Sequence, residues 1–282
     1  MGKSRRDRRM SRKTIVLFCL MFPVGWAGTV SAELLAYYTF DEASDPTVDS
    51  SGMENHGAFD GVPIWGPGYF GQGLAFDGSL AIEIPASTMG LRSDSGAVAF
   101  WLRMEAAVGI NTLWWGGDNN TGGGFGPENE MHIHTESSGQ FWGGGELSFA
   151  GQNTTGRFHI FSDPNKGNAA ATAPVSPILM GDGTWRHVAC TWGNDDGNVK
   201  MYLNGKLLHE SAQGVSSYGL STMYLGQMAN GQRTFTGTLD DVAIYDTALS
   251  PDEVVQIMNG GILTDGATHE DPADGPRMCF AT

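Results

Sequence analysis

Thr184-Trp185-Arg186-His187-Val188-Ala189-Cys190-Thr191-Trp192-Gly193-Asn194-Asp195-Asp196-Gly197-Asn198-Val199-Lys200-Met201-Tyr202-Leu203-Asn204-Gly205-Lys206 reads as strand, turn, strand, turn. Side chains alternate along a strand, so Trp185, His187, Ala189 and Thr191 share one face and Arg186, Val188, Cys190 and Trp192 the other. Val199, Met201 and Leu203 form an apolar face, with Lys200 and Tyr202 opposite. Asp196-Gly197 and Asn204-Gly205 tolerate the positive φ that tight hairpin turns need. The unit is therefore predicted to be an antiparallel sheet segment with one buried face.

The same grammar runs through the chain in both directions. Leu34 to Asp41 is an apolar strand ending in acid, followed by a polar, turn-rich loop at 49–57. Leu80–Pro85, Ala97–Met104, Asn111–Trp115, Met131–Thr135, Glu146–Phe149 and Arg157–Ser162 read as further strands, and Met223–Leu225 and Thr238–Tyr245 as the last ones. A polar and Ala/Pro stretch, 163–177, precedes the opening unit. One helix is predicted: Ser250-Pro251-Asp252-Glu253 is a capping box with Pro at the first helical position, Val254, Val255, Ile257 and Met258 supply its apolar side, and Asn259-Gly260 ends it. The 41 glycines fit many tight turns. Short strands, turn chemistry between them and almost no helix predict an all-β fold, a two-sheet antiparallel sandwich or jelly roll with one short C-terminal helix.

Residues 1–32 have the pattern of a secretory signal: a basic end from Lys3 to Lys13, an apolar run from Thr14 to Val24, and the small residues Val30-Ser31-Ala32 at a cleavage site. The run is short for a membrane span, so no membrane insertion is expected after cleavage; an uncleaved anchor is the alternative. Export to the cell surface or medium follows. The leader holds seven of the 16 Lys and Arg and one of the 31 acids, which leaves 9 against 30 and a net charge of −21 for the mature chain. Such a charge repels nucleic acid and anionic membranes and favours solubility and cation binding. The plainer reading, and the preferred one, is a solvated acidic surface with no specific partner. Cys190 and Cys279 remain after processing and make no disulfide scaffold; Cys190, on an apolar strand face, is expected to be a small unpaired hydrophobe.

Several segments, in this order, resemble the laminin G-like branch of the concanavalin A-like lectin/glucanase jelly rolls. They are Tyr38-Thr39-Phe40-Asp41, Asp49-x-Ser51-Gly52-x-x-Asn55-His56-Gly57, Gly73-Leu74-x-Phe76-Asp77-Gly78, Trp185-x-His187-Val188-Ala189, Tyr202-Leu203-Asn204-Gly205-Lys206, Phe235-x-Gly237-x-Leu239-Asp240-Asp241-Val242-x-Ile244-Tyr245 and Ala248-Leu249-Ser250-x-x-Glu253-Val254. Each motif is weak alone; the ordered set is specific for the fold and says little about function. The resemblance implies a domain over 33–262, followed at 263–282 by a disordered tail or truncated linker. It implies a non-catalytic module for a glycan or a cell-surface protein, or a structural and adhesion module of a larger surface protein.

Related domains often carry a structural calcium ion where the first and last strands meet. The resemblance places Asp41, Asp240 and Asp241 there, with Asp77 as a further acid; hard cations need oxygen ligands. The alternative is that Asp41 and Asp240 cap turns by accepting backbone N–H bonds. On the strand through Met131, Glu130, His132, His134 and Glu136 share one face, and His159 and His187 are expected to approach across the sheet. Three uses fit that face: a half-solvated surface with no ligand, sugar contact, and a transition-metal site built on His-x-His. Trp114 and Trp115 lie beside Gly-rich segments and are candidates for stacking on sugar, as are Phe125 and Trp142, whereas Trp101, Trp185 and Trp192 are assigned to the core. The Glu-x-Asp-x-x-Glu signature of hydrolases of this fold is absent, so no enzyme is expected; Glu130 and Glu136 paired with Glu146 are the residual acid pairs.

Overall fold

Alternating side chains and glycine turns produce most of the predicted strands. A computed structural model describes residues 32–42, 44–106, 109–117, 129–135, 147–153, 156–161, 180–193, 197–212 and 217–263. In chain order its elements are β1 Leu34–Tyr38, β2 Ala58–Asp60, β3 Ile64–Pro67, β4 Gln72–Asp77, β5 Ala81–Ile84, α1 Ala86–Met89, β6 Gly96–Arg103, β7 Asn111–Gly117, β8 Glu130–Thr135, β9 Leu147–Asn153, β10 Gly156–Phe161, β11 Arg186–Trp192, β12 Asn198–Leu203, β13 Lys206–Ala212, β14 Thr222–Leu225, β15 Thr236–Tyr245 and α2 Pro251–Met258. All fall in one compact unit, Ser31–Thr282. Residues 1–31 and the segment from 264 onward lie outside the described residues. Among the described residues no helix is long and apolar enough to cross a membrane.

The strands form two antiparallel sheets. The first has the order β13-β12-β11-β6-β15-β4-β3, with β1 also on β15; the second has the order β10-β9-β8-β7-β14-β5-β2. Register explains why they pack. Across the second sheet, Phe59, Ile82, Leu225, Trp114, Ile133, Phe149 and Ile160 stand directly opposite one another, strand after strand. All but the terminal Phe59 lie in the core between the sheets. The first sheet answers with Met201, Cys190, Val98, Ile244 and Ala36 in one row. Cys190 is free and fully buried there, and burial pushes its thiol well up. Cys279 lies outside the described residues.

The first sheet has two buried faces, not the single one expected from the alternation of β11 and β12. Its outward row is Tyr202, Ala189, Ala99, Ala243 and Tyr37, three of them alanines. These small residues leave room for α2, whose Val254 and Ile257 pack on them together with Leu249 and Leu263. Burying Val254 and Ile257 contributes about 2 kcal/mol each. The predicted capping box is present: Ser250 N–H donates to Glu253 Oε2 at 2.7 Å, and Glu253 N–H to Ser250 Oγ at 3.3 Å. Ser250→Ala is expected to cost about 1 kcal/mol in urea unfolding. The Asn204-Gly205 turn has positive φ at both residues, 49° and 75°, as a tight hairpin requires. Ala32, assigned to the leader on sequence, and Leu263, assigned to the tail, both pack in the α2 cluster.

Between β1 and β2 the chain makes a hydrogen-bonded strap. Asp49 Oδ1 accepts from the Tyr37 and Ser51 N–H groups, and Oδ2 from Ser51 Oγ and the Asn55 N–H. Asn55 Nδ2 donates to the Leu35 carbonyl, and the Tyr38 hydroxyl donates to the Asn55 carbonyl. The Asp49-x-Ser51-Gly52-x-x-Asn55 motif thus ties the strap to β1.

Candidate functional site

The outward row of the second sheet runs Ala58, Glu83, Tyr224, Trp115, His132 and Ala150 by register. Its chemistry grades from exposed at one end to buried at the middle. Glu83 is exposed and Tyr224 half-buried. Trp115 and His132 are 1% and 2% exposed. Tyr224 and Trp115 approach with ring centroids 6.0 Å apart. Burial, then the charge of Glu83 and a hydrogen bond to it, hold the Tyr224 phenol above its ordinary range. The Trp115 indole Nε1 donates to Glu130 Oε2 at 2.9 Å, which fixes the ring on the sheet.

Glu130, His132 and His134 share the predicted face, but that face is buried at β8 rather than half-solvated, at 1–2% exposure each. The His132 and His134 ring centroids are 4.5 Å apart, and Ser148 Oγ lies 2.9 Å from His134 Nε2. Glu136, Glu146, Phe125 and Trp142 lie outside the described residues. Strand register puts His159 one strand beyond His132, across Ala150. His187 belongs to the other sheet, so the expected approach to His132 does not occur. Trp114 and Trp115 part company. An irregularity in register between Thr112 and Trp114 inserts Leu113, so that Leu113 and Trp114 both enter the core, where Trp114 sits 5.9 Å from Trp192. Trp115 alone remains on the outward face. Trp192 is core as expected. Trp101 faces outward on the first sheet, stacked on Tyr69 with ring centroids 3.3 Å apart, and Trp185 meets the same Tyr69 edge-on.

The predicted acids meet on the outward side of the first sheet. Here β15 exchanges one neighbour for another: its first half pairs with β4 and its second with β1. An irregularity between Asp240 and Ala243 marks the exchange, and Asp241 takes φ 50° there. The inserted residue breaks the alternation that would send two adjacent acids to opposite faces. The turn between β3 and β4 also presents backbone N–H donors that lie outside the ladder. Asp240 Oδ2 accepts from the Tyr69 and Phe70 N–H groups at 2.7 and 2.9 Å, and Asp41 Oδ1 from the Gln72 N–H at 2.7 Å. Asp41 and Asp240 thus cap the turn between β3 and β4, one of the two roles weighed for them. A Cβ on Gly68 would lie 2.6 Å from Asp240 Oδ2, so the approach needs glycine. Asp241 Oδ1 accepts from the Tyr37 hydroxyl. Asp240 Oδ1 is buried with no hydrogen-bond partner. Burial first, then the neighbouring charges of Asp241 and Asp41, push the Asp240 carboxyl up to about 8 against the pull of the two N–H donors. Among the described residues no group of three or more His, Cys, Asp or Glu is arranged to hold a metal ion. Sequence reasoning missed Tyr37, Tyr69, Glu83 and Tyr224; Tyr37 stood in an apolar strand, and the role of the others depends on register.

Comparison with known proteins follows the same lines. The chain is similar to domain 4 of AbnA, a GH43 extracellular arabinanase from Geobacillus stearothermophilus solved with arabinotriose, with TM-score 0.58 and 19% identity over 81% of this chain and 99% of that one. It is similar to the binding domain of botulinum neurotoxin DC solved with rat synaptotagmin II, with TM-score 0.56 and 15% identity over 81% and 51%. These likenesses show the jelly-roll fold. In sequence, neuronal pentraxin-2 of Cavia porcellus is 27% identical over 93 residues, 29% of this chain and 22% of that protein. C-reactive protein of Xenopus laevis is 27% identical over 95 residues, 28% and 40%. The matched stretch thus spans less than half of either relative. The Laminin_G_3 family model matches residues 76–255, more than half of the 282, and the chain therefore belongs to this laminin G-like family of the concanavalin A-like lectin/glucanases superfamily.

Proposed function

We propose that the chain is an exported, non-catalytic module that binds a glycan or a surface partner on the outward face of the second sheet, at its β5–β14–β7 end. The row Glu83–Tyr224–Trp115 carries this proposal. It sets an accessible aromatic ring beside an exposed carboxylate, over an indole whose N–H is already bonded. Sugar rings lie on aromatic faces through their C–H groups, and a carboxylate accepts from hydroxyls. Arabinotriose and synaptotagmin II, found with the two structural neighbours, are of the two ligand classes considered. Export is supported by the basic-then-apolar pattern of residues 3–24. Glu130, engaged by Trp115, suits a structural role better than acid catalysis.

Calcium belongs to the same proposal. Asp240 offers a buried oxygen with no bond, and Asp41 and Asp241 add charge beside it. These residues would hold the ion, with carbonyls or solvent completing the shell. The bound ion would neutralise the junction and stiffen the β3–β4 turn.

The test is binding of the purified chain to neutral and sulfated polysaccharides, in calcium and then in EDTA. Saturable binding of at least one, weakened about tenfold or more in Tyr224→Ala, is expected. No binding in either buffer, or full binding by Tyr224→Ala, would shift the weight to a structural or adhesion module. That second reading is favoured by a match covering only part of larger relatives.

A further inference from the structure

We propose that the cavity under the C-terminal end of α2 is a site for one water molecule, held by Trp101, His187 and Asp241. The first sheet supplies its floor through Trp101 on β6, His187 on β11, and Asp241, Ala243 and Tyr245 on β15. Ile257 and the backbone at 260–262 close it from the other side. The space follows from the sequence. Ala243 has too short a side chain to fill it, and two glycines after the helix bring backbone rather than side chains against it. Gly260 takes φ 81° there, and its N–H and that of Gly261 bond back to the Ile257 and Gln256 carbonyls at 2.9 and 3.0 Å. What remains is a cavity of about 10 Å³ open to a water's centre, the room that one water needs.

Chemistry selects the guest. Trp101 Nε1 and His187 Nδ1 are buried with no hydrogen-bond partner, and the two residues are 5% and 1% exposed. Their rings meet edge to face with centroids 5.3 Å apart, so both groups serve one cavity. A buried polar group left unpaired is costly, and a water that pairs it removes the cost. Burial pushes the His187 imidazole down to about 3, so the ring is neutral and offers one donor and one acceptor nitrogen. The Trp101 indole N–H can only donate, which disfavours a cation, and a carboxylate such as that of Asp241 only accepts, which disfavours an anion. Water does both. It accepts from Trp101 Nε1, donates to the Asp241 carboxylate and takes either role toward His187, and the Tyr245 hydroxyl is a further group able to give or take. Two to four polar partners are what a buried water requires. The site needs no metal and is separate from the calcium proposed at Asp240, although Asp241 borders both.

The test is a crystal structure of the full chain, grown in EDTA, at a resolution that shows ordered water. One water peak within about 3.2 Å of Trp101 Nε1, His187 Nδ1 and an Asp241 carboxylate oxygen is expected. An empty cavity, a cavity filled by a shifted side chain, or a peak with the short all-oxygen contacts of a metal ion would overturn the proposal. Urea unfolding of His187→Leu checks the energetics in solution. With Nδ1 bonded to water, the substitution removes a made bond and lowers the folding constant about tenfold; with Nδ1 unpaired, an apolar side chain of similar size relieves a penalty and raises it. A raised or unchanged constant therefore also overturns the proposal. If His187→Leu does not fold, the crystal structure alone decides.

Discussion

Asp240→Asn will stabilise the chain at alkaline pH by several kcal/mol and flatten its stability profile. The folded carboxyl, pushed up from 3.8 to about 8, holds a proton that the unfolded carboxyl has already released. Stability due to this group is therefore present below pH of about 4, falls by up to about 1.4 kcal/mol per pH unit through the window to about 8, and is flat beyond it. Asn has nothing to ionise. Its oxygen can still accept from the Tyr69 and Phe70 N–H groups, and its amide adds no charge beside Asp41 and Asp241. The gain above pH 8 is on the order of 3–5 kcal/mol. Urea unfolding across that pH range measures it. Calcium should lift the wild-type profile at its alkaline end and leave Asp240→Asn nearly unmoved. Parallel profiles for the two proteins would refute the proton assignment.

Asp49→Ala should be comparably damaging in the other direction. Its carboxylate accepts four hydrogen bonds, including one from the buried Tyr37 N–H. Bonds to a charged acceptor contribute about 1.5–3 kcal/mol each, less when summed, and the loss also leaves a buried donor unpaired. A cost of about 3–5 kcal/mol is expected, with Asp49→Asn near half of that, because the amide oxygen can replace only one of the two carboxylate oxygens. A change within about 0.5 kcal/mol for Asp49→Ala would mean that the strap is held by other contacts.

The β11–β12 pair was legible because three local signals agree on it. Alternation separates Val188, Cys190 and Trp192 from His187 and Ala189, Asn204-Gly205 permits the turn, and β-branched and aromatic residues favour strands. The helix was legible from its caps. Less legible were features created by pairing between distant strands. Period-two reasoning cannot see the inserted Leu113, which decides that Trp114 is core, nor the insertion at Asp241, which keeps two adjacent acids together. β2 and β3 are short and carry glycine and proline at or beside them, so propensity argues against them and tertiary packing overrides it. The site was legible only in its parts. Glu130 and Trp115 both stood among the predicted residues, yet their bond, and the Glu83–Tyr224 pair completing the row, depend on a strand order that the sequence does not display.

Hydrogen–deuterium exchange of the chain with and without a bound polysaccharide locates the binding face most directly. Protection should appear in β5, β14 and β7, around Glu83, Tyr224 and Trp115, and stay unchanged in the β2–β3 link and the Tyr69–Gln72 turn. Protection confined to those last two places, with none on β14, would contradict binding by the outward face of the second sheet.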